Sequence, residues 1–213
     1  MTEIVKKSLS EQIYEDLKHR ILTQDIVFGE KLTNRDLQSR YGVSSTPVRD
    51  AIFHLHRDGL VEYPTRTGAR VKNFDLDHAL EINEMLSMLS VSAIRLSAQR
   101  SDVSEVGVCL LHILGKQEES VRNETYYAYD REFHKAFFDY AKNRELRNVY
   151  MQYYILHEML VRCYHRVQDT RRLSVKEHRL ICEAYSSGDI ESACSYMSKH
   201  YRSAEATLAL TLK

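Results

Sequence analysis

The chain has 213 residues, with 30 Lys+Arg against 30 Asp+Glu, so its formal net charge is zero and a uniformly basic nucleic-acid coat is excluded. Gly and Pro number only 7 and 2, far below ordinary usage, which excludes collagen-like, linker-rich and turn-dense β architectures. At 43% hydrophobic residues there is material for a core, yet no apolar run reaches the roughly 20 residues of a membrane span, and no apolar stretch follows the charged start. The expectation is a cytoplasmic, mainly α protein that does not enter membranes.

Both prolines and four of the seven glycines fall within the first 68 residues. This shift predicts a small turn-containing domain over 1–72, a connector at 73–76 and an all-helical domain over 77–213. Ile13, Leu17 and Ile21 have helical spacing, with Ser8 or Ser10 as N-cap. Phe28-Gly29-Glu30 breaks that helix. Thr33 caps a second one carrying Leu37, and Gly42 suits its left-handed end. A third helix starts after Ser44 or Ser45, tolerates Pro47 in its first turn and turns Val48, Ile52 and Leu55 inward. Leu60 to Tyr63 and Ala69 to Val71 read as strands joined by the turn at 64–68. Helix, helix, tight turn, helix and hairpin is the layout of a winged helix-turn-helix.

About six helices follow, predicted to form a bundle. Their apolar stripes are Ile82 to Leu96, Val103 to Ile113, Phe133 with Phe137, Leu146-Val149-Tyr153-Leu160, Ile181-Cys182-Tyr185, and Ala193-Met197-Ala204-Leu208. The four cysteines, Cys109, Cys163, Cys182 and Cys194, form no Cys-x-x-Cys pair and read as reduced core thiols.

Two constellations carry chemistry. The third helix opens with Ser44, Ser45 and Thr46, whose hydroxyls and neighbouring amides suit phosphate oxygens. Arg49, one turn on, can reach a guanine edge. Arg35 begins the preceding helix, and Arg66, Thr67 and Gly68 form the hairpin tip. Each residue also has an ordinary reading as cap, turn or solvated charge; in this order they favour double-stranded DNA. Residues 1–72 hold 12 basic and 10 acidic groups, so binding must rest on placement, and a homodimer on two half-sites would double the contacts.

The second constellation is Asp130, His134, His178 and His200, all on apolar faces of the helical domain. Burying one carboxylate and three imidazoles is costly unless they are satisfied, and a divalent transition metal accepts all four. Zinc is the first choice, with nickel or a relative as alternatives. Separate hydrogen bonding of each group is the competing reading.

The run Gly29-Glu30-Lys31-Leu32, Leu37, Tyr41-Gly42-Val43-Ser44-Ser45-Thr46-Pro47-Val48-Arg49-Asp50-Ala51, Leu55, Asp58-Gly59-Leu60-Val61 and Gly68 resembles the DNA-binding domain of the GntR family of bacterial transcription regulators. Ser45 stands where that family usually has arginine. Asp130-Arg131-Glu132-Phe133-His134, Asn143, Leu146, Glu177-His178, Ala184, Gly188-Asp189, Ala193, Met197 and His200 are similar to the FCD effector domain of the FadR-type branch. The resemblance implies metal ligands at Asp130, His134, His178 and His200. About six helices point to the VanR-like subgroup.

Relatives often carry an arginine and a glutamate where this chain has Leu86 and Ser90, so the usual clamp for a small organic acid is missing. Arg95, Arg162 and Tyr153 are the substitutes considered for effector binding. The expected function is a ligand-responsive repressor on a pseudo-palindromic operator. The alternatives are a metal-dependent hydrolase using the same four ligands, and a DNA-binding protein whose metal is structural.

Overall fold

The computed structural model describes residues 7–63, 68–73, 75–167 and 170–211, without the side chains of 160, 163–167, 207, 210 and 211. The chain divides into two compact units, Met1–Phe74 and Asp75–Lys213. Among the described residues no helix is long and apolar enough to cross a membrane.

In the first unit α1 (Leu9–Leu22) begins at a capping box: Ser8 accepts from the Glu11 amide and the Glu11 carboxylate accepts from the Ser8 amide. Its buried stripe, Ile13-Leu17-Ile21, packs on α3 (Ser45–Arg57) through Val48, Ile52 and Leu55. Between them α2 (Asn34–Tyr41) is capped by Thr33 and ends at Gly42, whose φ of 64° closes the turn that aims α3. The hairpin strands β2 (Val61–Glu62) and β3 (Ala69–Val71) are present. A further strand, β1 (Lys31–Leu32), joins them in the order β1-β3-β2, all antiparallel, with Leu32 opposite Ala69 and Val61 opposite Val71. Two residues are too few to show strand alternation, so β1 was not legible in the sequence. Arg66 and Thr67 lie outside the described residues.

The second unit contains α4 (Leu76–Arg100), α5 (Val103–Glu119), α6 (Thr125–Tyr140), α7 (Arg144–Val167), α8 (Arg171–Ser186) and α9 (Ile190–Thr211). Asp75 caps α4 by accepting from the His78 amide, so the last two positions of the expected connector belong to this unit. α9 packs on α4, α7 and α8, while α5 packs on α6 and α8. Side chains that converge on this core are Phe133, Phe137, Ile181, Tyr185, Met197 and Tyr201, each nearly or fully buried. Among the described cysteines, Cys109, Cys182 and Cys194 are free thiols.

One stripe needs correction. On α7, Val149 is 39% exposed, whereas Tyr150, Tyr154 and His157 are buried. The inner face is therefore rotated by one residue from the expected Leu146-Val149-Tyr153 phase. That face mixes Tyr150, Tyr154, His157 and Glu158 with the apolar Ile155, Leu156 and Met159, and apolar periodicity does not register its polar members.

Candidate functional site

In the first unit the third helix exposes the residues expected to meet DNA. Ser44, Ser45, Thr46 and Arg49 are all exposed, as is Arg35 at the start of α2. Ser44 occupies the N-cap position of α3 but makes no side-chain capping bond, so the first turn keeps amides available to an anion. A groove of about 700 Å³ runs along this face and is lined by Lys31, Asn34, Ser45, Arg49, Tyr63 and Gly68, among others. It brings the recognition helix and the described wing glycine together. Lys31, Asn34 and Tyr63 were not foreseen; a cation and a polar side chain flanking the first helix break were the available signals.

In the second unit His134 on α6, His178 on α8 and His200 on α9 converge. Their ligand atoms all lie within 4.8 Å of one another. Ring centroids are 4.9 Å apart for His134 and His178, 5.3 Å for His134 and His200, and 4.6 Å for His178 and His200. His134 and His178 are buried, and the His200 side chain is 12% exposed. His178 Nδ1 lies 2.8 Å from Gln117 Oε1, and His200 Nδ1 lies 2.8 Å from Glu177 Oε2.

Two observations test whether a metal fits. Among the described residues, neither ring nitrogen of the buried His134 has a hydrogen-bond partner, a loss of about 1–3 kcal/mol for an unsatisfied polar atom. Burial drives its pKa well below that of a free imidazole, which favours the neutral ring that metal ligation needs. The Nε2 atoms of His178 and His200 stand 3.4 Å apart. Two nitrogens bound at about 2.0–2.1 Å to one tetrahedral ion are separated by about 3.4 Å. The donor set therefore suits a borderline transition metal such as zinc.

Asp130 does not join the three imidazoles. Its Oδ1 accepts from Gln117 Nε2 at 2.9 Å and from the Tyr126 hydroxyl at 3.4 Å. Burial raises its pKa to about 6, against the opposing pull of His200. Asp130 and His200 do share the lining of a cavity of about 20 Å³ with Asn83, His157, Ser174 and Tyr201. That is room for about one water molecule. His157 was missed in the sequence because it sits on the misphased stripe. Its ring is 5.8 Å from that of His134, and burial lowers its pKa to about 3.

The effector substitutes fare differently. Arg95 is half exposed and bonded to Glu191 at 2.7 Å, so it does not reach the buried cluster. Arg162 is largely buried but is paired with Glu158 at 2.9 Å and Glu124 at 2.6 Å, and lies over the Tyr127 ring. Tyr153 is only half-buried; Tyr154, its neighbour, is the one inside, hydrogen-bonded to Glu158. None of the three lines the cavity beside the histidines. At the positions of the absent clamp, Leu86 is fully buried and Ser90 bonds the Tyr201 hydroxyl at 3.0 Å.

A helix-turn-helix with an exposed reading face, and a helical bundle enclosing imidazoles, together define a two-part DNA-binding regulator. Residues 9–71 match the model of the gntR family of bacterial regulatory proteins, and residues 81–203 match the FCD domain. The chain belongs to the GntR family of transcription regulators and carries an FCD domain. It is 26% identical to the uncharacterized HTH-type transcriptional regulator YdhC of Bacillus subtilis, over 89% of this chain and 86% of the relative. It is 23% identical to the Uxu operon regulator of Haemophilus influenzae, over 97% and 79% respectively. The solved structure of Escherichia coli McbR/YncC has the same fold, with a TM-score of 0.77 at 20% identity over 98% of this chain and all of that one.

Proposed function

We propose that this chain is a ligand-responsive repressor that binds a pseudo-palindromic operator as a homodimer and senses a small organic acid beside a metal ion in its FCD domain. The observation that carries the reading is the convergence of three imidazoles from three helices, one of them with both nitrogens buried and without a hydrogen-bond partner among the described residues. His134, His178 and His200 hold the ion, and Asp130 completes the set by turning its carboxylate toward it. When bound, the ion supplies Lewis acidity that attracts an anionic oxygen of the effector.

Arg35, Ser44, Ser45, Thr46, Arg49 and Gly68, together with Arg66 and Thr67, contact the DNA. Repression is supported by the repressor NanR of Salmonella schwarzengrund, 22% identical over 96% of this chain. The six helices α4 to α9 support the VanR-like subgroup. The hydrolase reading would need a general base beside the cluster, and Glu177, the weak candidate for that role, is engaged with His200 at 2.8 Å and Ser203 at 2.7 Å.

Elemental analysis of the purified protein, combined with operator binding in the presence and absence of chelator and of small organic acids, tests this. About one ion per chain, and an acid that weakens operator binding only in the metal-loaded protein, is the expected result. Protein that neither retains nor takes up an ion overturns the metal-assisted part.

A further inference from the structure

We propose that Gln117 and Glu177 are the positioning residues of the imidazole cluster: each takes the Nδ1 hydrogen of one histidine and so turns that ring's Nε2 lone pair inward, toward a shared ion. The proposal rests on the metal reading above and assigns to two side chains outside the ligand set the control of whether His178 and His200 can ligate.

A neutral imidazole carries one hydrogen, on either nitrogen, and only the bare nitrogen binds a metal. The acceptors around the rings decide which nitrogen is bare. Glu177 Oε2 lies 2.8 Å from His200 Nδ1, and a carboxylate oxygen accepts, so Nδ1–H is the donor. The other Glu177 oxygen accepts from Ser203 Oγ at 2.7 Å, which fixes the carboxylate.

Gln117 poses a harder case, because an amide offers a donor at one end and an acceptor at the other. Its Nε2 lies 2.9 Å from Asp130 Oδ1. Reversing the amide would set its oxygen against that carboxylate. Oε1 therefore faces His178 Nδ1 at 2.8 Å and accepts from it. One fully buried side chain thus orients both the carboxylate and an imidazole of the proposed ligand set. With both Nδ1 atoms as donors, the two Nε2 atoms that face each other at 3.4 Å are the bare ones. Their lone pairs repel unless a proton or a cation lies between them. Gln117 continues the buried α5 stripe of Val106, Leu110 and Leu114, where a glutamine has no packing advantage over leucine.

Outer partners of metal-bound histidines typically change affinity by roughly 10- to 100-fold. The test uses the full chain, stripped with chelator. It is titrated with Zn²⁺ against a chromogenic competitor, and with Co²⁺ while its visible ligand-field bands are recorded. Gln117→Leu and Glu177→Leu are expected to weaken Zn²⁺ binding by about 10- to 100-fold and to alter the Co²⁺ bands. Glu177→Gln, whose amide oxygen can still accept from Nδ1–H, is expected to stay within a few-fold of the parent. Melting of the metal-free variants reports folding separately; if Gln117→Leu does not fold, Gln117→Asn, too short to span both partners, takes its place with the same expectation. Parent protein that binds no metal defeats the underlying metal reading. Parent that binds, alongside folded leucine variants of equal affinity and unchanged Co²⁺ bands, overturns this proposal alone. Equal losses for Glu177→Gln and Glu177→Leu overturn its Glu177 half.

Discussion

Phe133 lies flat against His178: their ring centroids are 4.1 Å apart and their planes 14° from parallel. Phe133 precedes His134 on α6, so one helix supplies both a cluster histidine and the surface that holds another in place. The phenyl ring is fully buried. Phe133→Ala is expected to cost about 3–5 kcal/mol of stability, through lost burial and the cavity left behind. Urea unfolding of the second unit's tertiary signal measures it. A loss under about 1 kcal/mol would show that the ring is not part of the core that fixes His178.

On the proposed DNA face, Arg49 is the residue expected to read a base edge. A bidentate contact to a guanine edge is worth about 1–3 kcal/mol, so Arg49→Ala is expected to weaken operator binding by roughly five- to 150-fold. Being exposed, the residue can be truncated without disturbing α3. Fluorescence anisotropy with labelled operator and a scrambled duplex separates loss of specificity from loss of general affinity. Sequence-specific binding at full strength would move the reading face elsewhere on the unit.

Gly68 has a φ of 94°, and a Cβ added there would meet only Lys31 Cε at 3.7 Å. Space is ordinary; the backbone is the obstacle. Gly68→Ala is expected to destabilise the first unit by about 1 kcal/mol or more through strain, and to weaken operator binding by displacing the wing. Thermal melting and anisotropy on the same variant check the pair of effects, and wild-type behaviour in both would argue against a wing held by this glycine.

The metal-free protein should lose stability in mild acid. Burial depresses the His157 pKa to about 3 and that of His134 well below its free value, so both rings are neutral in the folded chain. Unfolded, they take up protons near pH 6.5. The unfolded state therefore binds more protons between about 6.5 and 3, and stability falls as pH drops through that window. Asp130 works in the opposite sense. Its pKa of about 6 exceeds the unfolded value, so its contribution is present in acid and disappears as pH rises past 6. Melting temperature against pH for chelator-treated protein, compared with His157→Leu, isolates the imidazole part: the variant's profile should be flatter between pH 4 and 7.

The sequence by itself determined the order of elements, because caps, breakers and apolar spacing are local. Ser8, Thr33 and Gly42 mark helix ends through hydrogen bonds or backbone angles that involve only near neighbours. The three histidines were legible for the same reason: each polar residue interrupts an otherwise apolar stripe. Tertiary structure decided what no local pattern encodes. Strand β1 exists because β3 pairs with it across the 36 residues of chain between Leu32 and Ala69. The burial of His157 and Glu158 on α7 follows from packing against α9 and α4, which hydropathy alone does not encode. Arg95 turns to Glu191 because that carboxylate on α9 is within reach in the fold, a proximity of residues 96 apart in sequence. The partners of the imidazoles were hidden likewise, since Gln117 meets His178 only once α5 and α8 are packed side by side.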